Sequence, residues 1–262
     1  MPDQAAPLVL QNIEATVATL TLNRPDAYNA LSIELMEALL ARLQGLAEDR
    51  EVHVIILKGA GRGFCAGHDL RQMSGNDDPE FHRRTFETCS RLMLQITRQP
   101  QPVIAQVQGI ATAAGCQLVA TCDLAVATDT ARFATPGVNI GLFCSTPMVA
   151  LSRAIARKQA MEMLLTGEMV DARRACEIGL INQTAPEEVV DEVTLGLAAK
   201  IAGKSPHAIR LGKEAFYQQL EEPLSQAYAH CSDVMCCNMD SDDAREGIDA
   251  FLNKREPVWK GQ

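Results

Sequence analysis

The chain has 262 residues, 47% of them apolar and 22% charged, so one large domain can bury a sizeable core without disulfides or a metal. Acidic residues outnumber basic ones 33 to 24 for a net charge of -9, which argues against nucleic acid or an anionic membrane as the main partner. The nine cysteines, at 65, 89, 116, 122, 144, 176, 231, 236 and 237, show no C-x-x-C spacing, which argues against zinc and for reduced thiols in a cytoplasmic compartment. Met1-Pro2-Asp3-Gln4 opens no basic segment followed by an apolar run, and no stretch approaches about 18 apolar residues, so a soluble, unprocessed protein is expected.

Ala15 to Leu22 alternates as a strand with one buried face, and Asn23-Arg24-Pro25-Asp26 stops it. Ser32 is placed to cap a helix in which Leu35, Met36, Leu39, Leu40 and Leu43 recur at helical spacing, before Asp49-Arg50 closes it. With the short apolar run Val54 to Leu57, the first 58 residues read strand, strand, helix, strand. A Gly-rich turn from Gly59 to Asp69 follows, then a polar stretch, Ser74 to Glu80, expected to be mobile, and a helix over Phe81 to Ile96. Val103 to Val107 reads as a strand ended by Gly109, and Ala113-Ala114-Gly115 opens another helix. Leu124 to Ala127 is a further strand, helices are expected over about Pro147 to Leu165 and Ala172 to Ile178, and a last short strand follows Ile181. From about Glu187 every segment has helical spacing, with Phe216, Leu220, Leu224 and Met235 left over as apolar faces suited to self-association. The chain is α/β early and all-α late.

Two stretches carry potential chemistry. Phe64-Cys65-Ala66-Gly67-His68-Asp69 is a Gly-containing corner that can turn backbone N–H groups outward, although such a corner is often only a turn. Gln108 to Leu118 runs through small residues into a helix, leaving unpaired N–H groups at its positive end; close packing on a sheet would ask for the same residues. Each stretch can give one N–H to a single oxyanion, and losing one such donor typically costs about 100- to 1000-fold in rate.

Asn23-Arg24-Pro25, Asn29-Ala30-Leu31, the Phe64 to Asp69 corner, Pro102-Val103-Ile104-Ala105, Cys122-Asp123 and Met163-Leu164-Leu165-Thr166-Gly167 occur in an order that resembles the enoyl-CoA hydratase/isomerase (crotonase) superfamily. Ala175 with Gly179-Leu180 and the terminal Phe251-Leu252-Asn253-Lys254-Arg255 extend the match over nearly the whole chain, and the run from Gln106 to Pro147 is most similar to the enoyl-CoA hydratase domain-containing branch. The resemblance implies a β-β-α spiral core of the ClpP/crotonase type over residues 1–200, holding an acyl-CoA site, and a helical region over 201–262 for oligomerisation and for covering CoA. A homotrimer or a dimer of trimers is implied. No cofactor is expected, since coenzyme A is part of the substrate.

The same resemblance puts the two oxyanion donors on the backbone N–H groups of His68 and Ala114. The two glutamates that hydratases use fall on Gln117 and Gly137, and a third position that carries aspartate in some relatives falls on Ser145. Gln can orient water but cannot take its proton, and Gly has no side chain, so the hydratase acid-base pair is missing. The pantetheine is expected along His68, Asp69, Leu70 and Arg71, with Arg24 as a charge near the adenosine phosphates and Phe251 and Lys254 covering the adenine from a neighbouring subunit. Three readings stay open: a hydratase-like acyl-CoA enzyme, a decarboxylase or other enolate-forming enzyme, and a catalytically weak acyl-CoA-binding protein. A purely structural scaffold would require that CoA esters do not bind.

Overall fold

The computed structural model describes residues 6–262; the opening residues on which the expected absence of a leader rests lie outside them. The chain begins with β1 (Val9–Glu14), β2 (Val17–Leu22), α1 (Ile33–Ala47) and β3 (Val54–Gly59), in the predicted order. Ser32 caps α1, its hydroxyl accepting the Leu35 N–H at 3.3 Å. Next come α2 (Leu70–Ser74), α3 (Pro79–Arg98), β4 (Val103–Val107), β5 (Ile110–Thr112), α4 (Ala114–Thr121), β6 (Leu124–Thr128) and β7 (Arg132–Ala134). The chain continues through α5 (Ser145–Ala154), α6 (Arg157–Thr166), β8 (Val170–Asp171), α7 (Ala172–Glu177) and β9 (Gln183–Ala185). It closes with α8 (Val190–Ala202), α9 (Pro206–Gln219), α10 (Leu224–Met239) and α11 (Asp242–Leu252). The short elements α2, β5, β7 and β8 are absent from the sequence reading, because two to five residues show no periodicity and only long-range pairing or a cap defines them.

Among the described residues the main sheet runs β1-β2-β3-β4-β6-β9, with β1 antiparallel to β2 and every later neighbour parallel. Its inner strands are buried on both faces and alternate between two cores, as the period of two requires. Ile55, Leu57, Val103, Ala105 and Ala125 face the larger core with α1, α3 and α4, whereas Val54, Ile56, Ile104 and Val126 meet Val190 and Ala198 of α8. A second sheet, β5-β7-β8, runs beside the first, and two isolated bridges extend its pattern, Leu31 to His68 and Cys65 to Ala111. The chain therefore repeats one unit: a strand in the main sheet, a short extended segment, then a helix. This is the expected β-β-α spiral. Equivalent positions of successive turns lie side by side, which brings the segment after β3 against the segment after β4.

A buried polar cluster ties the helical end to the spiral. Lys213 on α9 donates to Asp123 Oδ2 at 2.6 Å and to the carbonyls of Ile96 and Gln101 at 3.0 and 3.1 Å. Tyr217 donates to Asp123 Oδ1 at 2.9 Å, and the Val103 N–H to Oδ2 at 2.7 Å. The ammonium is almost fully buried, so its solvation is replaced by these partners. Lys213→Met should lower the unfolding free energy in urea by about 3 kcal/mol, because it strands a carboxylate and two carbonyls together; a loss below about 1 kcal/mol would show that the cluster does not anchor α9.

Candidate functional site

The site begins with a fully buried asparagine. Asn29 adopts φ 54°, in the left-handed region that Asn tolerates better than most residues. Its amide nitrogen is shared among the carbonyls of Gly63, Ala60 and Phe64 at 2.8, 2.9 and 3.1 Å, and its Oδ1 accepts the Arg24 N–H at 2.9 Å. One side chain thus gathers the loop after β3. Two residues on, the Leu31 N–H donates to the Gly67 carbonyl at 2.7 Å and the Leu31 carbonyl accepts the Asp69 N–H at 3.1 Å. In this parallel pairing Leu31 brackets His68, so the polar backbone groups of His68 face the opposite way.

The second segment packs directly against the first. The Thr112 N–H donates to the Cys65 carbonyl at 3.0 Å, and the Thr112 hydroxyl to the Ala66 carbonyl at 3.0 Å. Gly67 lies at φ 96°, and a Cβ added there would stand 2.9 Å from the Ala113 Cβ and 3.3 Å from the Ala114 nitrogen. Ala113 itself holds φ 50°, ψ -117°, a conformation that costs a residue with a side chain about 1–3 kcal/mol. It is kept there by its own N–H donating to the Ala134 carbonyl at 2.9 Å and by its carbonyl accepting the Gln117 N–H at 3.0 Å. The reversal starts α4 with the Ala114 N–H at its positive end. Neither that N–H nor the His68 N–H has a hydrogen-bond partner among the described residues.

The His68 imidazole packs edge-on against Phe86, with ring centroids 5.3 Å apart, and its buried Nε2 has no partner among the described residues. Burial pushes its pKa down to about 4, so the ring is neutral at pH 7. Asp69 Oδ1 accepts the N–H groups of Arg71 and Gln72 at 3.1 and 3.2 Å, capping α2, while Oδ2 pairs with Arg24 at 2.9 Å. Burial alone would raise this carboxyl, but the Arg24 and backbone hydrogen bonds outweigh it and hold the pKa low.

At the three positions where the resemblance sought acids, Gln117 is buried in the first turn of α4, with Oε1 3.9 Å from the Cys89 sulfur. Gly137 is buried, and a Cβ there would meet Cys144 Sγ and the Leu142 carbonyl, each at 2.9 Å. Ser145 is the exposed first residue of α5. The nearby thiols are protonated, since burial pushes Cys65, Cys89 and Cys116 up to about 12 and also raises Cys144. The structure thus gathers His68, Asp69, Arg24, Ala114 and Gln117. It leaves Leu70 and Arg71 in the exposed first turn of α2, and Phe251 and Lys254 at the exposed end of α11. Among the described residues no cluster of three or more His, Cys, Asp or Glu could hold a metal ion, and no helix is long and apolar enough to cross a membrane.

Sequence reasoning quoted Asn29 for its resemblance and missed its role, as it missed Ala113. An αL-tolerant asparagine just after a stop signal was the only trace, because its three carbonyl partners lie more than thirty residues away.

A family model described as enoyl-CoA hydratase/isomerase matches residues 12–262. The rat (Rattus norvegicus) enoyl-CoA hydratase domain-containing protein 3, mitochondrial, is 47% identical over 243 residues, 93% of this chain and 81% of that protein. The 2,3-dehydroadipyl-CoA hydratase of Escherichia coli strain K12 is 35% identical over 247 residues, 94% of this chain and 96% of that one. A solved structure of an enoyl-CoA hydratase from Mycobacterium smegmatis superposes with a TM-score of 0.95 at 50% identity, covering 97% of this chain and 99% of that one.

Asn29→Asp preserves size and αL tolerance but turns a donor into a carboxylate facing three carbonyls, so it should cost at least about 3 kcal/mol in denaturant unfolding; a near-neutral effect would remove Asn29 from its organising role. The His68 ring makes a pH prediction. Its ordinary pKa is near 6.5 and its folded value about 4, so the unfolded chain binds more protons between those limits, and stability rises with pH across them. The urea midpoint should therefore fall from pH 7 to pH 5, and His68→Gln should flatten that slope; parallel slopes would contradict a buried neutral imidazole.

Proposed function

Because this chain belongs to the enoyl-CoA hydratase/isomerase family, in its enoyl-CoA hydratase domain-containing branch, we propose that it binds an acyl-CoA thioester and polarises its carbonyl between the N–H groups of His68 and Ala114. The observation that carries this reading is the pair of unpartnered N–H groups on adjoining backbone segments, one of them at the start of α4. Charge that develops on the thioester oxygen as an enolate forms would be met by donors already in place, each worth about 100- to 1000-fold in rate. The strain at Ala113 supports it, since such conformations concentrate at functional sites. The acyl-CoA is the ligand, and the pantetheine would follow His68, Asp69, Leu70 and Arg71.

Proton transfer is the weak half of the site. Gln117 can orient a water without accepting its proton, Gly137 offers nothing, and Ser145 is a hydroxyl. Hydration of an enoyl-CoA would then be slow, by about 100- to 10,000-fold for each lost acid or base. This absence favours a second reading: an acyl-CoA whose own carboxylate leaves as CO2, so that the electron pair of the broken C–C bond passes into the thioester as an enolate and no protein base is needed. A catalytically weak acyl-CoA-binding protein is the remaining form of the same site.

A trimer or dimer of trimers is proposed on the exposed side chains of Phe216, Leu220, Leu224, Met235 and Phe251, large apolar groups clustered on the last three helices. In that assembly Phe251 and Lys254 would cover the adenine of a neighbouring copy. The nine cysteines are all free, which suits a reducing compartment; the cytoplasmic expectation stands beside the word mitochondrial in the rat relative's name.

Calorimetry with crotonyl-CoA, followed by mass spectrometry of enoyl, hydroxyacyl and malonyl-type thioesters, tests the reading. We expect binding, slow hydration, and a gain of about 100-fold in hydration for Gln117→Glu/Gly137→Glu/Cys144→Ala. The third substitution removes the Cys144 sulfur, one of the two atoms 2.9 Å from a Cβ at Gly137, and leaves only the Leu142 carbonyl for the loop to shift away. A protein that binds no CoA ester would sink the proposal, and rapid hydration by the unaltered chain would sink the account of the missing acids.

A further inference from the structure

The Arg24 guanidinium is already engaged. One terminal nitrogen donates to the Ala30 carbonyl at 2.6 Å, and the other to Asp69 Oδ2 at 2.9 Å, with both side chains of the ion pair largely shielded from solvent. Ala30 and Asp69 are the residues flanking the Leu31–His68 bridge, one on each strand of it. Arg24 therefore spans the bridge that decides which way the His68 N–H faces. The other oxygen of Asp69 caps α2, and Gln72 on α2 accepts the Ile33 N–H at 3.2 Å and donates to Glu34, which fastens the same corner to α1.

We propose that Arg24 is a positioning residue for the His68 N–H, acting through Asp69 and Ala30, rather than a ligand of the adenosine phosphates; this rests on the amide-pair reading above. The chemistry fits the residue type. A planar guanidinium serves two acceptors in fixed directions, which a single flexible ammonium cannot do. A displacement of about 1 Å in a catalytic group can cost about 100-fold in rate, so a small tilt of the bridge is enough to matter. Charge on the phosphates would instead be served equally well by lysine.

The test separates the two roles by ligand and by variant. Free CoA affinity is measured by calorimetry, and the carbonyl stretching frequency of bound crotonyl-CoA by Raman difference spectroscopy, for the unaltered protein, Arg24→Lys, Arg24→Gln, Asp69→Asn and Arg24→Gln/Asp69→Asn. Circular dichroism selects variants that fold, and Arg24→Lys, the mildest change, carries the test if the others do not. The unaltered protein should shift the carbonyl to lower frequency. Arg24→Lys, Arg24→Gln and Asp69→Asn should each lose most of that shift, the two Arg24 variants with free CoA affinity within about twofold, and the double variant should lose no more of the shift than the singles, because the pair acts as one unit. Retention of the shift in Arg24→Lys and Arg24→Gln would overturn the proposal, as would a tenfold loss of free CoA affinity in Arg24→Gln that Arg24→Lys restores. An unaltered protein that binds the ester without shifting its carbonyl would overturn the amide-pair reading, and this inference with it.

Discussion

Everything at the candidate site hangs on the Asn29 carboxamide. Three carbonyls of one loop point inward toward a single nitrogen, and without that donor they would be buried and unpaired, at about 1–3 kcal/mol each. Only a short side chain with both a donor and an acceptor, on a residue that accepts positive φ, can stand there and also take the Arg24 N–H. Once Asn29 has drawn in Ala60 to Phe64, Leu31 is in register to bond Gly67 and Asp69 on either side of His68, and the corner has one orientation. The direction of the His68 N–H is thus settled by bonds within the corner itself.

The second donor depends on the first through the spiral. Because each turn repeats strand, short segment and helix, the residues after β3 and after β4 come into contact, and the Cys65 to Ala111 bridge locks their relative height. Gly67 has to lack a side chain for Ala113 and Ala114 to approach. Ala113 has to accept a strained conformation for α4 to start where it does. Strain of this kind persists only when surrounding bonds over-determine it, and the contacts to Ala134 and Gln117 on either side do so.

Apart from the Arg24–Asp69 ion pair, the buried side chains around these two N–H groups carry no charge. Gln117 is neutral, the imidazole of His68 is held neutral by burial, and the thiols of Cys65, Cys89 and Cys116 are held protonated by the same cause. The Cys144 sulfur and the Leu142 carbonyl together fill the space that a side chain at Gly137 would need.

Hydrophobic periodicity made the long elements legible in the chain alone: α1 from its Leu and Met spacing behind Ser32, β3 and β4 from short apolar runs, and the helical end from Glu187 onward. Ordered motifs from Asn23 to Arg255 carried the family, and with it the spiral fold, because residue type at fixed spacing is local information. The short strands β5, β7 and β8, the strain at Ala113 and the roles of Asn29 and Arg24 were not legible. Each is defined by partners dozens of residues away, and no window along the sequence contains both ends of such a contact. Sequence by itself determined which groups this protein lacks, namely the carboxylates at 117, 137 and 145. Tertiary structure alone decided which groups it presents, because a backbone N–H becomes available to a ligand only when the surrounding fold leaves it without a partner.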